Sequence, residues 1–531
     1  MRPLSQPKFW THCHASLRRT LFRLKDSFAE ICFERSASGR GKSQFTIFTT
    51  SLTLPRRAKC GTIKTIRHTG FMIFSPDFST SSTTREERHL RTVCVLSLLV
   101  GALYVFLVRA GLPYDEAAHW NIVRHYARRD FLPVMGESGV SYEAYQAPAF
   151  YFFGGIFTFI TRLGGAQFAF YALRFASLLL ILPTIWLCYT IARHVLGRHG
   201  DALLVALFVG LNPCLLAIYA SVQNDSAAIT LSLFIMWLSM RWIGDTETSS
   251  TRCALWLGAL TGMAILFKLT SAFAFFAVLI YFAIERRNAR QWLRFFIVYT
   301  AIVLAICGWW FARNVNLYGD FSGSASMKKF FPEGAGTPLD FTQIGSWKSL
   351  AQNLVTYWWT PTEYFRNLVE LPRIAKLIIT IATLLGALGA AWSLASLMRT
   401  GQSASRENAN RAMKYQIRSG ESSRRAAVCV AIFYAVCLAI YVRTIATQWF
   451  FPARMTLVVL VAPALLIVGG SLILLRRLGM FHRVLEVCAT RVYGAVLVVF
   501  LLSLHVVVLH GATQLRPMPF DMKFATKTLR R

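Results

Sequence analysis

Apolar runs of membrane length, joined by short basic connections, constrain this chain more than any other feature. The runs lie at 91–110, 169–191, 201–220, 225–243, 253–268, 270–284, 292–312, 373–398, 426–443, 454–475 and 491–511. Most approach the ~20 residues that carry a helix across a bilayer. Lipid offers backbone groups no partner, so a spanning segment must be a helix or part of a closed barrel. Runs this long without alternation read as helices. The expected fold class is an all-α polytopic membrane protein with about 11 transmembrane helices. Hydrophobic residues fill 55% of the 531 positions and charged ones 15%, whereas soluble domains carry roughly a quarter charged. A soluble class is excluded.

The formal net charge of +32 would suggest nucleic acid in a soluble protein. Here the Lys and Arg residues cluster between apolar runs, where they set topology and meet anionic headgroups. No nucleic-acid partner is expected. Of 11 cysteines, Cys94, Cys188, Cys214, Cys307, Cys429 and Cys437 fall inside apolar runs. They read as small buried hydrophobes.

The segment Ala147–Thr161 is apolar but short. With a cytosolic N-terminus and this segment not crossing, five basic connections fall inside. They hold Arg193 and Arg198; Arg241 and Arg252; Arg286, Arg287, Arg290 and Arg294; 399–425; and Arg476, Arg477, Arg483 and Arg491. That satisfies the positive-inside rule. The tail, with Arg516, Lys523, Lys527, Arg530 and Arg531, goes against it. Residues 1–88 are polar, basic and without a core-forming stretch, and are expected to be disordered. Met72 is a candidate start that would leave the preceding residues as a gene-model artefact. The membrane domain is expected at 89–515. It would have outer loops 111–168 and 313–372, a cytosolic linker 399–425 and a basic tail 516–531.

Only 25 residues are acidic, so the adjacent pair Asp115-Glu116 just past the first span is conspicuous. Ionised groups near the apolar slab are costly and tend to mark working sites. The topology gathers others at the same face: His119; Glu143 and Gln146; Asn224-Asp225; Lys268; and Arg313-Asn314 followed by Tyr318-Gly319-Asp320. A carboxylate can take a proton from a hydroxyl, Lys and Arg can hold a phosphate, and an acid pair can hold a divalent cation. Each residue also has a plainer reading. Glu116 suits a helix N-terminus, Asp225 a cap, Lys268 a snorkelling side chain, and Arg313 an interfacial anchor.

The order of elements resembles the GT-C superfamily of multi-pass glycosyltransferases. These include protein O-mannosyltransferases and bacterial aminoarabinose transferases. The elements are a first span, Asp115-Glu116, then Tyr142-Glu143-Ala144-x-Gln146-x-Pro148-x-x-Tyr151, then Trp310-x-x-Arg313-Asn314-x-x-x-Tyr318-Gly319-Asp320. The resemblance covers roughly 90–511. It implies a GT-C-like fold whose large first outer loop carries amphipathic juxtamembrane helices. It further implies a polyprenyl-phosphate-linked sugar donor, an acceptor lipid, glycan or protein, and an inverting transfer. The setting would be the periplasmic face of a bacterial inner membrane, among membrane lipids. Asp115 would be the catalytic base and Glu116 its catalytic partner. Glu143, Gln146, Lys268, Arg313 and Asn314 would bind substrate and phosphate. Glu116 and Glu143 would hold a divalent cation (Mg or Mn) if one is used. The chain departs from similar proteins at Tyr145 and Ala147, and at Gln448-Trp449 before Phe451-Pro452. Arg443 or Arg454 is left to supply a second phosphate contact. The alternatives are a transporter or flippase for lipid-linked sugars, and a polysaccharide polymerase or ligase.

Overall fold

The computed structural model describes residues 83–113, 115–245, 248–286, 288–330, 337–361, 370–400, 411–447, 453–477 and 483–515. Residues 1–82, Gln448, Trp449, Phe451, Pro452 and the tail 516–531 lie outside them. The described chain is helical and has no strand among the described residues. Its helices are α1 (Thr83–Leu107), α2 (Glu116–Ala127), α3 (Ala149–Thr161), α4 (Ala166–Leu179), α5 (Ile181–Leu196), α6 (His199–Gly210), α7 (Pro213–Tyr219), α8 (Asp225–Ile243) and α9 (Ser250–Phe267). They continue as α10 (Phe273–Glu285), α11 (Ala289–Tyr318), α12 (Ser324–Phe330), α13 (Ile344–Trp359), α14 (Arg373–Thr400), α15 (Arg411–Thr447), α16 (Val461–Ala464), α17 (Gly470–Arg477) and α18 (Arg483–Gln514). Helix α15 takes in 411–425, part of the stretch expected to be a linker.

Among the described residues, 8 helices are long and apolar enough to span, or up to 10 if each bent pair is one span. The difference from eleven has a local cause. The run at 270–284 forms only a short apolar helix, Leu269–Glu285. Two other runs are broken: α6–α7 bends by 56° and Ala453–Val459 with Val461–Arg476 by 79°. Helix α3 has 13 residues, which at 1.5 Å each reach about 20 Å, short of a hydrocarbon core of roughly 30 Å.

Small residues set the closest packing. Gly258 and Gly262 lie one turn apart on α9 and face Ile302 and Ile306 of α11. A Cβ at Gly262 would approach Ile306 Cβ to 2.9 Å. Close approach through small residues replaces the hydrophobic drive that lipid does not supply. Gly155 does the same between α3 and α2, where a Cβ would meet Tyr126 Cβ at 2.5 Å. Helix α3 is thereby pressed onto α2, which carries part of the candidate site.

Candidate active site

A buried ion pair anchors the start of the segment that links α1 to α4. Arg174, in the middle of α4, donates through Nε to Glu116 Oε1 at 2.8 Å and through Nη2 to Oε2 at 2.5 Å. Backbone N–H groups of Val222 and Gly111 complete Glu116, each at 2.9 Å. Arg174 also donates to the carbonyls of Val105 (2.9 Å), Val108 (2.7 Å) and Arg109 (3.3 Å). Carbonyls at a helix end lack intrahelical donors, so Arg174 completes the end of α1 while clamping the loop beyond it. Both side chains are fully buried. The structure thus does not bring Glu116 to the other site residues as an available ligand or base. Each of its oxygens already accepts two hydrogen bonds.

That clamp fixes the residue before it. Asp115 has φ 68 and ψ −8, a left-handed conformation, which non-Gly residues adopt at a cost of about 1–3 kcal/mol. Its Oδ1 accepts from the Tyr142 hydroxyl and its Oδ2 from Arg454 Nη2. Asp115, His119 and Glu143 each offer one ligand atom, all within 4.8 Å of one another, and all three are buried. His119 Nδ1 pairs with the Tyr151 hydroxyl at 2.8 Å. Glu143 Oε2 is buried with no hydrogen-bond partner. Burial and then the neighbouring Asp115 push the Glu143 carboxyl well above its ordinary value. Burial and then Lys268 hold His119 well below its own, so the ring is neutral.

A second arm approaches from the bundle. Lys268 Nζ lies 2.8 Å from Asp225 Oδ1 and donates to Asn224 Oδ1 at 3.0 Å. Asn224 Nδ2 donates to Gln146 Oε1 at 2.5 Å, tying this arm to the Glu143 element. Lys268 is buried, so it does not snorkel. Asp225 is the first residue of α8, whose N-cap is Asn224, and its Oδ2 is a buried atom with no partner. Glu143 and His119 both feel Lys268, Arg454 and Asp225 electrostatically. Three carboxyl groups (Asp115, Glu143, Asp225) and two basic side chains (Lys268, Arg454) therefore lie within electrostatic reach of Glu143 and one another. One nitrogen and carboxylate oxygens, including an unpartnered one, form a donor set that fits a divalent cation.

The late motif serves the loop. Arg313 Nη2 donates to the carbonyls of Leu132 and Pro133, each at 3.0 Å, and its guanidinium lies over Trp310 at 4.7 Å. Asn314 Nδ2 donates to Tyr145 O at 3.4 Å, and Tyr318 accepts from Met135 N at 3.1 Å. The Arg-Asn-x-x-x-Tyr segment of α11 thus grips the stretch between α2 and α3 at three points. The guanidinium that pairs with Asp115 is that of Arg454, while the hydrogen bonds of Arg313 go to the loop carbonyls.

Arg174, Tyr142 and Tyr151 were not among the residues expected to build the site. Arg174 had a signal, since a guanidinium deep within a run such as 169–191 must be paired or functional. The tyrosines had none beyond belonging to the Tyr142–Tyr151 element.

Residues 146–310 match the family described as Dolichyl-phosphate-mannose-protein mannosyltransferase. This match bears out the expected kinship with GT-C glycosyltransferases. No curated relative matches the chain. Among solved structures, the chain is similar to ArnT from Cupriavidus metallidurans bound to undecaprenyl phosphate. That likeness has 16% identity and TM-score 0.44, over 82% of this chain and 76% of that one. It is also similar to an oligosaccharyltransferase from Archaeoglobus fulgidus in the apo form, at 13% identity and TM-score 0.47, over 82% of this chain and 57% of that one.

Proposed function

We propose, on the premise that this family match makes the chain a GT-C glycosyltransferase, that it moves a sugar from a polyprenyl-phosphate carrier to a hydroxyl. The acceptor is a lipid, glycan or protein, and the site faces the periplasm from a bacterial inner membrane. The observation that carries this reading is the buried, left-handed Asp115 shared between Arg454 and Tyr142, with His119 and Glu143 within 4.8 Å.

Each group has a part in that reaction. The donor phosphate competes with Asp115 for Arg454, because guanidinium binds both anions in the same forked manner. Once Arg454 turns to phosphate, Asp115 Oδ2 has a lone pair for the acceptor's proton. The acceptor oxygen bonds the anomeric carbon as the bond from that carbon to the phosphate oxygen breaks, which inverts the centre. Arg454 and Lys268 stabilise the charge left on phosphate, commonly the largest catalytic contribution. Tyr142 keeps Oδ1 oriented. Glu143 and Gln146 face the sugar, and Arg313 and Asn314 hold the loop that carries them. Asp115, His119 and Glu143 would hold a divalent cation, Mg or Mn, which when bound supplies Lewis-acid charge beside the phosphate.

The test uses the full chain in lipid nanodiscs with a polyprenyl-phosphate sugar, transfer being followed by mass spectrometry. Asp115→Asn should lower turnover by about a hundredfold or more while polyprenyl phosphate still binds. Undiminished transfer in that variant would discard the base assignment. Movement of the lipid-linked sugar between leaflets, with no transfer by the native protein, would favour a transporter.

A further inference from the structure

The break between α6 and α7 contains a hydrogen-bond exchange that reaches the site. In an unbroken helix the Leu211 carbonyl would accept from the N–H of Leu215. That N–H instead donates to Asn212 Oδ1 at 3.1 Å, which starts α7 with Pro213 in its first turn. A backbone carbonyl left bare inside a membrane domain is costly. The replacement donor comes from the far end of the chain: His505 of α18 lies with Nε2 3.0 Å from Leu211 O. A carbonyl only accepts, so Nε2 carries the proton and Nδ1 is an acceptor. The Tyr104 hydroxyl of α1 donates to Nδ1 at 2.9 Å. Asn212 Nδ2 secures the other side of the break on Trp358 O at 2.7 Å.

The chain leaves this break directly into the site. The 56° bend sets the direction of α7 and so the position of residues 222–224. Val222 N holds Glu116, and Asn224 joins Gln146 to Lys268. We propose that His505 is a positioning residue: its Nε2–H fixes the α6–α7 bend and thereby the Glu116 and Asn224 arms of the site. The proposal rests on the glycosyltransferase reading for its functional consequence and on geometry alone for the bend.

Two amide substitutions separate the contacts. Gln places its Nε2 near His Nε2 and can still donate to Leu211 O. Asn reaches only the region of Nδ1 and Tyr104. The reporter is Cys214, fully buried in α7, followed by peptide-resolved alkylation of the full chain in nanodiscs. His505→Asn and His505→Leu should alkylate at Cys214 about tenfold faster than the native protein, and His505→Gln at close to the native rate. Sugar transfer should run in the same order, lost in Asn and Leu and largely kept in Gln. Equal alkylation in Gln and Asn, or a protected Cys214 in both, would overturn the proposal, since filling space alone does not distinguish the two amides. If the native protein transfers no sugar while the alkylation contrast holds, the glycosyltransferase reading falls and the role of His505 at the bend stands.

Discussion

Arg454 donates to Oδ2 of Asp115 although 339 positions separate the two in the chain. The contact joins the start of α2 to the turn Ala453–Val459 that opens a bent span. A base paired this way is oriented before substrate arrives, and its partner is a group that phosphate can claim.

Arg454→Ala should therefore weaken donor handling more than it unsettles the fold. The expected loss in kcat/KM is about 10²–10³, measured by steady-state transfer. Arg454→Lys should recover only part of it, because an ammonium keeps the charge without the planar fork.

Glu116 and Arg174 should behave as one unit. Either Glu116→Gln or Arg174→Met breaks a buried pair, at about 3–5 kcal/mol, and lowers the thermal midpoint in detergent. The double variant should be less damaged than the sum of the two, because neither charge is then stranded. Additive losses would show that the two side chains act independently.

Glu143 gives a pH signature of defined sign. Its carboxyl is raised by burial and by Asp115, so the folded protein keeps a proton that the unfolded chain releases. The stability this group contributes is present below its ordinary value of 4.5 and is lost as pH rises through the raised folded value. Thermal midpoints measured against pH should fall more steeply as pH rises above 4.5 for the native protein than for Glu143→Gln.

Manganese should bind at Asp115, His119 and Glu143. Electron paramagnetic resonance of the full chain titrated with Mn²⁺ should give a bound signal that His119→Ala and Glu143→Gln each weaken, while Glu116→Gln leaves the spectrum of the folded fraction unchanged. A signal indifferent to both His119→Ala and Glu143→Gln would remove the cation from the mechanism.

Gly155→Val should push α3 off α2. The first added carbon already falls 2.5 Å from Tyr126 Cβ, and overpacking of this kind costs about 1–3 kcal/mol. Hydrogen exchange on 116–127 should rise, and transfer should fall with it.

Much of the molecule was legible from residues alone, for reasons that differ by element. Long apolar runs have few physical solutions, so the helical class came directly from them. The broken spans did not. The α6–α7 bend depends on Asn212, Pro213 and a histidine nearly three hundred positions later, and hydropathy averages over all three. Asp115, Glu143 and Lys268 were visible because ionised groups are scarce here and stand out near membrane boundaries. Their division of labour was not visible. Glu116 read as half of a catalytic pair because adjacency in sequence resembles adjacency in space, yet successive residues at a helix start point in different directions. Asp115 meets Tyr142 and Arg454, and Glu116 meets Arg174. Arg313 and Arg454 were both candidates for one anion, and only the three-dimensional path of α11 shows the first committed to Leu132 and Pro133.

The positive φ at position 115 narrows the alphabet tolerated there. Glycine fits that backbone but brings no oxygen; asparagine fits it but cannot take up a proton as a carboxylate does. Glutamate keeps the acid but lacks the short side chain that makes this twist affordable for aspartate. Backbone handedness and proton affinity thus converge on a single amino acid, and lengthening the acid by one methylene should be nearly as harmful as deleting it.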